Sequence, residues 1–473
     1  MSSSGALFAE ERREHGRTFQ PLVRHQLEAP MKQIKKHAFL WLSALLLLFS
    51  ATVQRLTAGE ETVAAPPSSD FYKFYLSARR ADDGRSIYWI IPPKIKPGDP
   101  CHPDSIRKLG QPEGITEDRL TLGGPIPCLA PNLNPPFFTL LLTPITKLHY
   151  ELAWWIWAAI STAATIASMW LIIKTFYTEL KKQTLGTALL CALMLLYYPN
   201  FTDFTLGQVG SVLLLFITLA WRDLRNEHEY RMGLWLGIAA SLKPFLLILA
   251  LPILAQRNWK ALIAFGSTAA LALSAGLLWY GWPIHADYKE VANHVTWTAS
   301  NWNASLIGFV NRAFSSFDSS EHPWVRTAVT GISVVLCAIT LGWCTWMCAR
   351  TRKLPITDRA DHFFMHTIPA TLLISPLAWL YYLPWLCLPA AALWHLSQSH
   401  PAARTMKLAL FASMVATIFP ILMKSIPTPR NPTIWWGHDS LYFYALTAAS
   451  IVFFSSARLI AFGTSRMHLK EPS

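Results

Sequence analysis

Residues 231–260 read RMGLWLGIAASLKPFLLILALPILAQRNWK, and this stretch decides how the chain is arranged. Its apolar run, 232–255, has Arg231 at one end and Arg257 and Lys260 at the other. Short basic loops stay on the cytoplasmic side of a membrane. A run with such loops at both ends must therefore enter and come back, and the turn falls near Lys243-Pro244. Each leg is short for a spanning helix, which needs about 20 mostly apolar residues.

The rest of the composition agrees with a lipid environment. Of 473 residues, 52% are hydrophobic and only 15% charged, where a soluble protein carries roughly a quarter charged. A soluble enzyme, a disordered chain, a collagen-like repeat and a coiled coil are all excluded. The 21 Trp and 25 Phe suit membrane interfaces, where aromatic rings collect. The surplus of 13 positive charges has to be located before it is interpreted.

Clear spanning candidates are residues 37–56, 151–174, 261–282, 324–348 and 441–462. Shorter or interrupted apolar runs lie at 134–148, 185–198, 207–221, 232–255, 363–395 and 407–423. Lys32, Lys35 and Lys36 precede the first run and no small-residue cleavage site follows it, so it reads as a permanent anchor. Five short basic loops set the parity: Lys174/Lys181/Lys182, Arg222/Arg225/Arg231, Arg257/Lys260, Arg350/Arg352/Lys353/Arg359 and Arg404/Lys407. The positive charge thus reports topology and anionic head groups, and nucleic acid is not an expected partner.

With these loops inside, residues 363–395 form a second hairpin, turning near Ser375-Pro376, and 134–148 cannot cross at all. That last run contains Pro144 and reads as a half-buried or juxtamembrane helix. The expected fold is an all-α, multi-pass integral membrane protein with about twelve crossings. Its expected parts are a cytoplasmic tail over 1–36, a membrane domain over 37–462 with its first external loop at 57–150, and a cytoplasmic tail over 463–473.

The external loop divides in two. From Asp70 to Ala81, the residues Phe71, Phe74, Tyr75 and Ala78 form one helical stripe, with Lys73, Arg79 and Arg80 on other faces. This is the pattern of a helix lying on a membrane surface, with Ser68-Ser69-Asp70 where an N-cap is wanted. Residues 92–136 are rich in Pro and Gly and read as loop. Cys101 and Cys128, the only two of seven cysteines outside the spans, could pair there in an oxidising compartment. The other five, Cys191, Cys337, Cys344, Cys348 and Cys387, read as small hydrophobes.

Six polar clusters converge on the external side: Asp70; Asn134-Pro135-Pro136; Asp203 with Gly207-Gln208; Lys243; Asn301, Asn303 and Ser305; and Ser375, Trp379, Tyr381 and Tyr382. A one-sided constellation suits an enzyme of the outer leaflet. A transporter or flippase of lipid-linked saccharides, the rival class, more often places polar groups at mid-membrane.

Six segments carry a family resemblance: DFYKFYLSARRADDGRSIY (70–88), NPPFFTLLLTPI (134–145), LGQVGSVLLLF (206–216), GLWLGIAASLKPFLLIL (233–249), NASLIGFVNR (303–312) and SPLAWLYYLPWL (375–386). In this order they resemble glycosyltransferase family 87, the polyprenyl-phosphate-mannose-dependent group of the C-type glycosyltransferases. The last segment departs from the pattern, since Tyr381-Tyr382 stand where similar proteins often carry histidines.

The resemblance implies transfer of a hexose, mannose first, from a polyprenyl-phosphate donor to a glycan or glycolipid acceptor, with inversion. The parity of the basic loops places both termini in the cytoplasm and the site on the periplasmic face of the plasma membrane, and no cofactor is expected. Asp70 maps to the family's acidic residue and is the expected base, with Asp203 in reserve. A helix N-terminus also favours a negative side chain at Asp70. Lys243 is expected to meet the lipid phosphate, or else to snorkel to ordinary head groups. Gln208, Asn134 and Asn303 are candidate sugar contacts, although Gln208 could instead cap a helix and Asn303 could serve a turn. Trp379, Tyr381 and Tyr382 are candidate stacking surfaces for a sugar or an isoprenoid chain, or members of an aromatic belt. No metal site is expected: His362 and His366 have i, i+4 spacing without an acidic ligand. No Walker or dinucleotide glycine motif is present, which suits a lipid-linked donor.

Overall fold

Proline fixes where the two hairpins turn. The residue before a proline is driven out of the α region, and both Lys243 (φ −137°, ψ 98°) and Ser375 (φ −59°, ψ 140°) are extended. The helices Glu229–Leu242 and Ile356–Ile374 end there, and each chain continues as a short 3₁₀ segment, Pro244–Leu249 and Leu380–Leu386. Helices Ala250–Ala255 and Cys387–Leu396 complete the second legs.

In the computed structural model, residues 38, 40–66, 69–88, 132–176, 180–293, 295, 297–315, 317, 322–399, 402–418 and 440–467 are described. The expected tail 1–36 and the loop with Cys101 and Cys128 lie outside these residues. Every regular element among the described residues is helical, and the one strand-like pairing is an isolated antiparallel bridge between Asn303 and Trp379.

The first hairpin closes on itself. Glu229, at its start, accepts Lys260 at 3.6 Å and Arg359 at 3.3 Å. Next to it, the buried Asp361 accepts Trp221 Nε1 at 2.7 Å and forms an ion pair with Arg225. Asp223 accepts Trp235 Nε1 at 2.8 Å and Arg231 at 3.2 Å. Three of the five loops read from sequence as basic, those bearing Arg225 and Arg231, Lys260, and Arg359, are therefore tied together by ion pairs. Helix Glu229–Leu242 rises about 21 Å from these loops to Lys243, at about 1.5 Å per residue.

Among the described residues, five helices are long and apolar enough to cross a membrane: Leu40–Ala64, Tyr150–Phe176, Trp259–Asn293, Trp324–Thr351 and Leu441–Arg458. They overlap the five clear candidates read from sequence. A sixth crossing results if Thr184–Leu196 and Tyr198–Leu206, bent by 66° between them, count as one broken span. The twelve crossings expected from sequence are not all matched by such helices among the described residues, where legs such as Glu229–Leu242 and Ala250–Ala255 fall short of a span. On the longest helix, Trp259 and Trp279 are both exposed and sit 20 residues apart, about 30 Å, the thickness of a hydrocarbon core. Beyond Trp279 that helix is interrupted at Gly281 (φ 76°) ahead of Pro283.

Pro136–Thr146 is a helix of only 11 residues. It packs against Trp259–Asn293 and against Asp70–Asp82. The latter helix departs from its expected surface position. Phe71, Phe74, Tyr75 and Ala78 are buried as the stripe requires, but Tyr72, Leu76 and Ser77 are buried too. Phe71 stacks on Trp157 at 5.9 Å and Phe74 meets Phe138 edge-on at 5.0 Å. Protein, not a lipid surface, covers this helix.

Candidate active site

Ser69 begins the site by capping helix Asp70–Asp82: its Oγ accepts the Phe71 amide at 3.2 Å and donates to Leu206 O at 3.0 Å. The cap joins Asp70 to the 206–211 turn. There Gly207 adopts φ 62°, and a Cβ on it would lie 2.5 Å from the Phe71 Cβ. Trp157 Nε1 donates to Gly207 O at 2.8 Å from the other side. The turn thereby aims Gln208 at Asp70, and Gln208 Nε2 donates to Asp70 Oδ2 at 2.5 Å. Asp70 Oδ1 forms an ion pair with Lys73, one helical turn on.

These groups open on a cavity of about 280 Å³. Of the residues singled out in sequence, Asp70, Asn134, Gln208, Lys243, Trp379 and Tyr381 line it. The two proline-defined turns meet here, since Lys243 comes from one and Trp379 and Tyr381 from the other. Lys243 forms no ion pair among the described residues, although Asp70, Lys73 and Asp203 all act on it electrostatically. Asn134 is fully buried, and both polar atoms of its carboxamide lack a partner among the described residues; so does Gln208 Oε1. Buried polar groups are normally satisfied, so these are the atoms from which a polar ligand would gain most.

Asn134 is held firmly. Its amide donates to Asn132 Oδ1 at 2.9 Å, and its carbonyl accepts the Tyr88 hydroxyl at 2.6 Å. Tyr88 packs on Tyr288 at 5.5 Å, and Ser86 donates to Asp287 at 2.5 Å, so the far end of helix Trp259–Asn293 braces this wall. Burial pushes the Tyr88 hydroxyl well above its ordinary value, keeping it a donor. Arg80 Nε donates to Ser86 O at 2.8 Å, which gives it a structural task at the exit of helix Asp70–Asp82.

Three sequence candidates sit elsewhere. Asn303 is fully buried and bonds backbone only: Nδ2 donates to Thr298 O (2.9 Å) and Pro376 O (3.0 Å), and Oδ1 accepts the amides of Ser305 (3.2 Å) and Ala378 (2.9 Å). It is a clip between two cavity-forming turns and does not line the cavity. Tyr382 is buried behind Tyr381 against Trp385 and Phe245, at 4.8 and 5.7 Å. Asp203, the reserve base, is fully buried and accepts Gly210 N (2.9 Å), Ser211 N (2.8 Å) and Ser211 Oγ (2.6 Å). It caps helix Gly210–Arg225 and is already committed.

Lys73, Trp297 and Trp302 also line the cavity and were not among the sequence candidates. Lys73 follows the signature aspartate by three residues, one turn along the same face, and that spacing was the available signal. The rings of His362 and His366 are buried 6.2 Å apart, and among the described residues no group of three His, Cys, Asp or Glu could hold a metal. Cys191, Cys344 and Cys348 are free thiols in the core.

Apolar helices around a polar cavity define a multi-pass membrane protein with a ligand-sized site at one end. Residues 132–360 match the family model of glycosyltransferase family 87. The α-(1→3)-arabinofuranosyltransferase of Mycobacterium tuberculosis is 28% identical over 182 residues, 37% of this chain and 41% of that protein. The one of Corynebacterium glutamicum is 26% identical over 227 residues, 42% and 53% respectively. The matches thus cover about half the length of these relatives or less. No solved structure gives a significant match. Asp70, Lys73, Trp379 and Tyr381 lie outside the family-model segment and reach the site through the fold.

Proposed function

We propose that this chain is a glycosyltransferase that moves a sugar from a polyprenyl-phosphate donor to an acceptor hydroxyl at the outer face of the plasma membrane. The observation that carries the reading is the cavity's combination of the carboxylate of Asp70 with the cations Lys73 and Lys243, next to the Asn134 carboxamide and Gln208 Oε1, which have no partner among the described residues.

Asp70 takes the acceptor proton as the acceptor oxygen bonds to the anomeric carbon from one face. The bond from that carbon to the phosphate oxygen breaks on the other face, its electron pair stays on the phosphate, and the configuration inverts. The products are the glycoside and the polyprenyl monophosphate. Gln208 holds Asp70 in place, and Lys243 meets the charge that grows on the departing phosphate. Asn134 and Gln208 Oε1 hydrogen-bond sugar hydroxyls, while Trp379 and Tyr381 offer ring faces to the sugar or the first isoprene units.

The similarity to arabinofuranosyltransferases favours an arabinofuranosyl donor. The motif resemblance to polyprenyl-phosphate-mannose enzymes favours a hexose, mannose first. Purified protein given each synthetic prenyl-phosphate sugar with a glycan or glycolipid acceptor tests both. Release of prenyl phosphate with a new glycosidic bond supports the reading and identifies the sugar. Transport of an intact lipid-linked sugar across vesicles, without bond exchange, supports the flippase class instead.

A further inference from the structure

Lys73 occupies the wall of the cavity beside Asp70, and the cavity charge does not balance without a ligand. Among the described lining residues, Asp70 supplies one negative charge and Lys73 and Lys243 supply two positive ones. Asp203 adds to the field but does not line the cavity, and its oxygens are committed to Gly210 and Ser211. The described lining therefore carries one net positive charge in a concave site, and a monoanion is its natural complement.

Accepting the reading of a prenyl-phosphate donor, we propose that Lys73 is a second ligand of the donor phosphate and leaves Asp70 to reach it. The Lys73–Asp70 pair is one that can exchange. Its side chains are 18% and 20% exposed, and partly solvated pairs of this kind hold weakly. A lysine ammonium rides on a flexible four-carbon stem, and a phosphate offers it a stronger acceptor than a carboxylate already shared with Gln208.

The exchange has a chemical consequence. Both oxygens of Asp70 are engaged, Oδ1 by Lys73 and Oδ2 by Gln208. Moving Lys73 to the phosphate frees Oδ1 for the acceptor hydroxyl and supplies a second cation where the phosphate passes from one negative charge to two. Donor binding then prepares the base.

Trp297, Trp302 and Trp379 line the same cavity, so binding can be read by tryptophan fluorescence. The probes are geranyl phosphate and geraniol, titrated into purified protein in detergent. The wild type is expected to prefer the phosphate at least tenfold. Lys73→Gln should lose about tenfold in affinity for geranyl phosphate and none for geraniol, and Lys73→Arg should restore most of it. Lys73→Gln with Lys243→Gln should abolish the preference. A merely structural loss would weaken both probes alike. Wild-type affinity of Lys73→Gln for geranyl phosphate, or an equal loss for both probes, overturns the proposal. A wild type without preference for the phosphate overturns the donor reading itself, a result recognisable before any variant is made.

Discussion

Replacing Asn303 with alanine tests how the cavity is built. Its side chain makes four hydrogen bonds to backbone groups and is completely buried. Truncation leaves the amides of Ser305 and Ala378 and the carbonyls of Thr298 and Pro376 without that partner. At about 1 kcal/mol per bond, the loss is about 4 kcal/mol, a large share of a typical stability. The neighbouring bridge, Ala304 N to Ala378 O at 2.8 Å, remains and limits the damage. Asn303→Asp keeps the acceptor oxygen and removes the two donated bonds, so about 2 kcal/mol is expected before any charge effect. Unfolding by SDS titration of protein in mixed micelles gives the stability. Tryptophan emission gives the cavity, because the clip joins the turn bearing Trp297 and Trp302 to the one bearing Trp379. Asn303→Ala should be the less stable variant, with emission shifted to the red. A stability within about 1 kcal/mol of wild type and an unchanged spectrum would refute the clip.

Other variants probe other levels of the structure. Gly210→Ala would place a Cβ 2.4 Å from Asp203 Oδ1 and 2.9 Å from the Tyr381 carbonyl, both fixed groups; a loss of about 1–3 kcal/mol in the same unfolding titration is expected. Asp361→Ala strands Arg225 in a buried setting and should cost about 3–5 kcal/mol, whereas replacing both residues with leucine should cost much less. Asp203→Asn should destabilise the capped helix by about 1–3 kcal/mol but preserve glycosyl transfer per folded molecule, as befits a cap and not a base.

The sequence made the long helices legible because composition alone defines them, and the observed bounds fall within a few residues except where Leu40–Ala64 and Trp259–Asn293 extend further at one end. The turns at Lys243-Pro244 and Ser375-Pro376 were legible for two reasons that agree: basic loops at both ends and the conformational limit that proline sets. The acidic partners in those basic loops were not. Asp223, Glu229 and Asp361 look like ordinary loop charges until the fold places them against Arg231, Lys260, Arg359 and Arg225. Helix Asp70–Asp82 was misplaced because an apolar stripe has the same period whether lipid or protein covers it. Lys73 was passed over for a related reason: a cation off the stripe reads as solvated, yet this one faces the cavity. Asn303 and Asp203 show the limit most plainly. Each is a polar residue in an apolar chain, and only its hydrogen bonds separate a clip or a cap from a ligand contact.

The central claim is that Asp70 accepts the acceptor's proton, and one substitution addresses it directly. Asn in its place keeps the size and can still accept the hydrogen bond from Gln208, but it cannot take a proton. Initial rates of transfer from the prenyl-phosphate sugar that the wild type accepts are the measurement, with the unfolding titration as a check on folding. A folded Asp70→Asn protein should retain donor binding and lose transfer by about a hundredfold or more. Transfer near the wild-type rate would contradict the account.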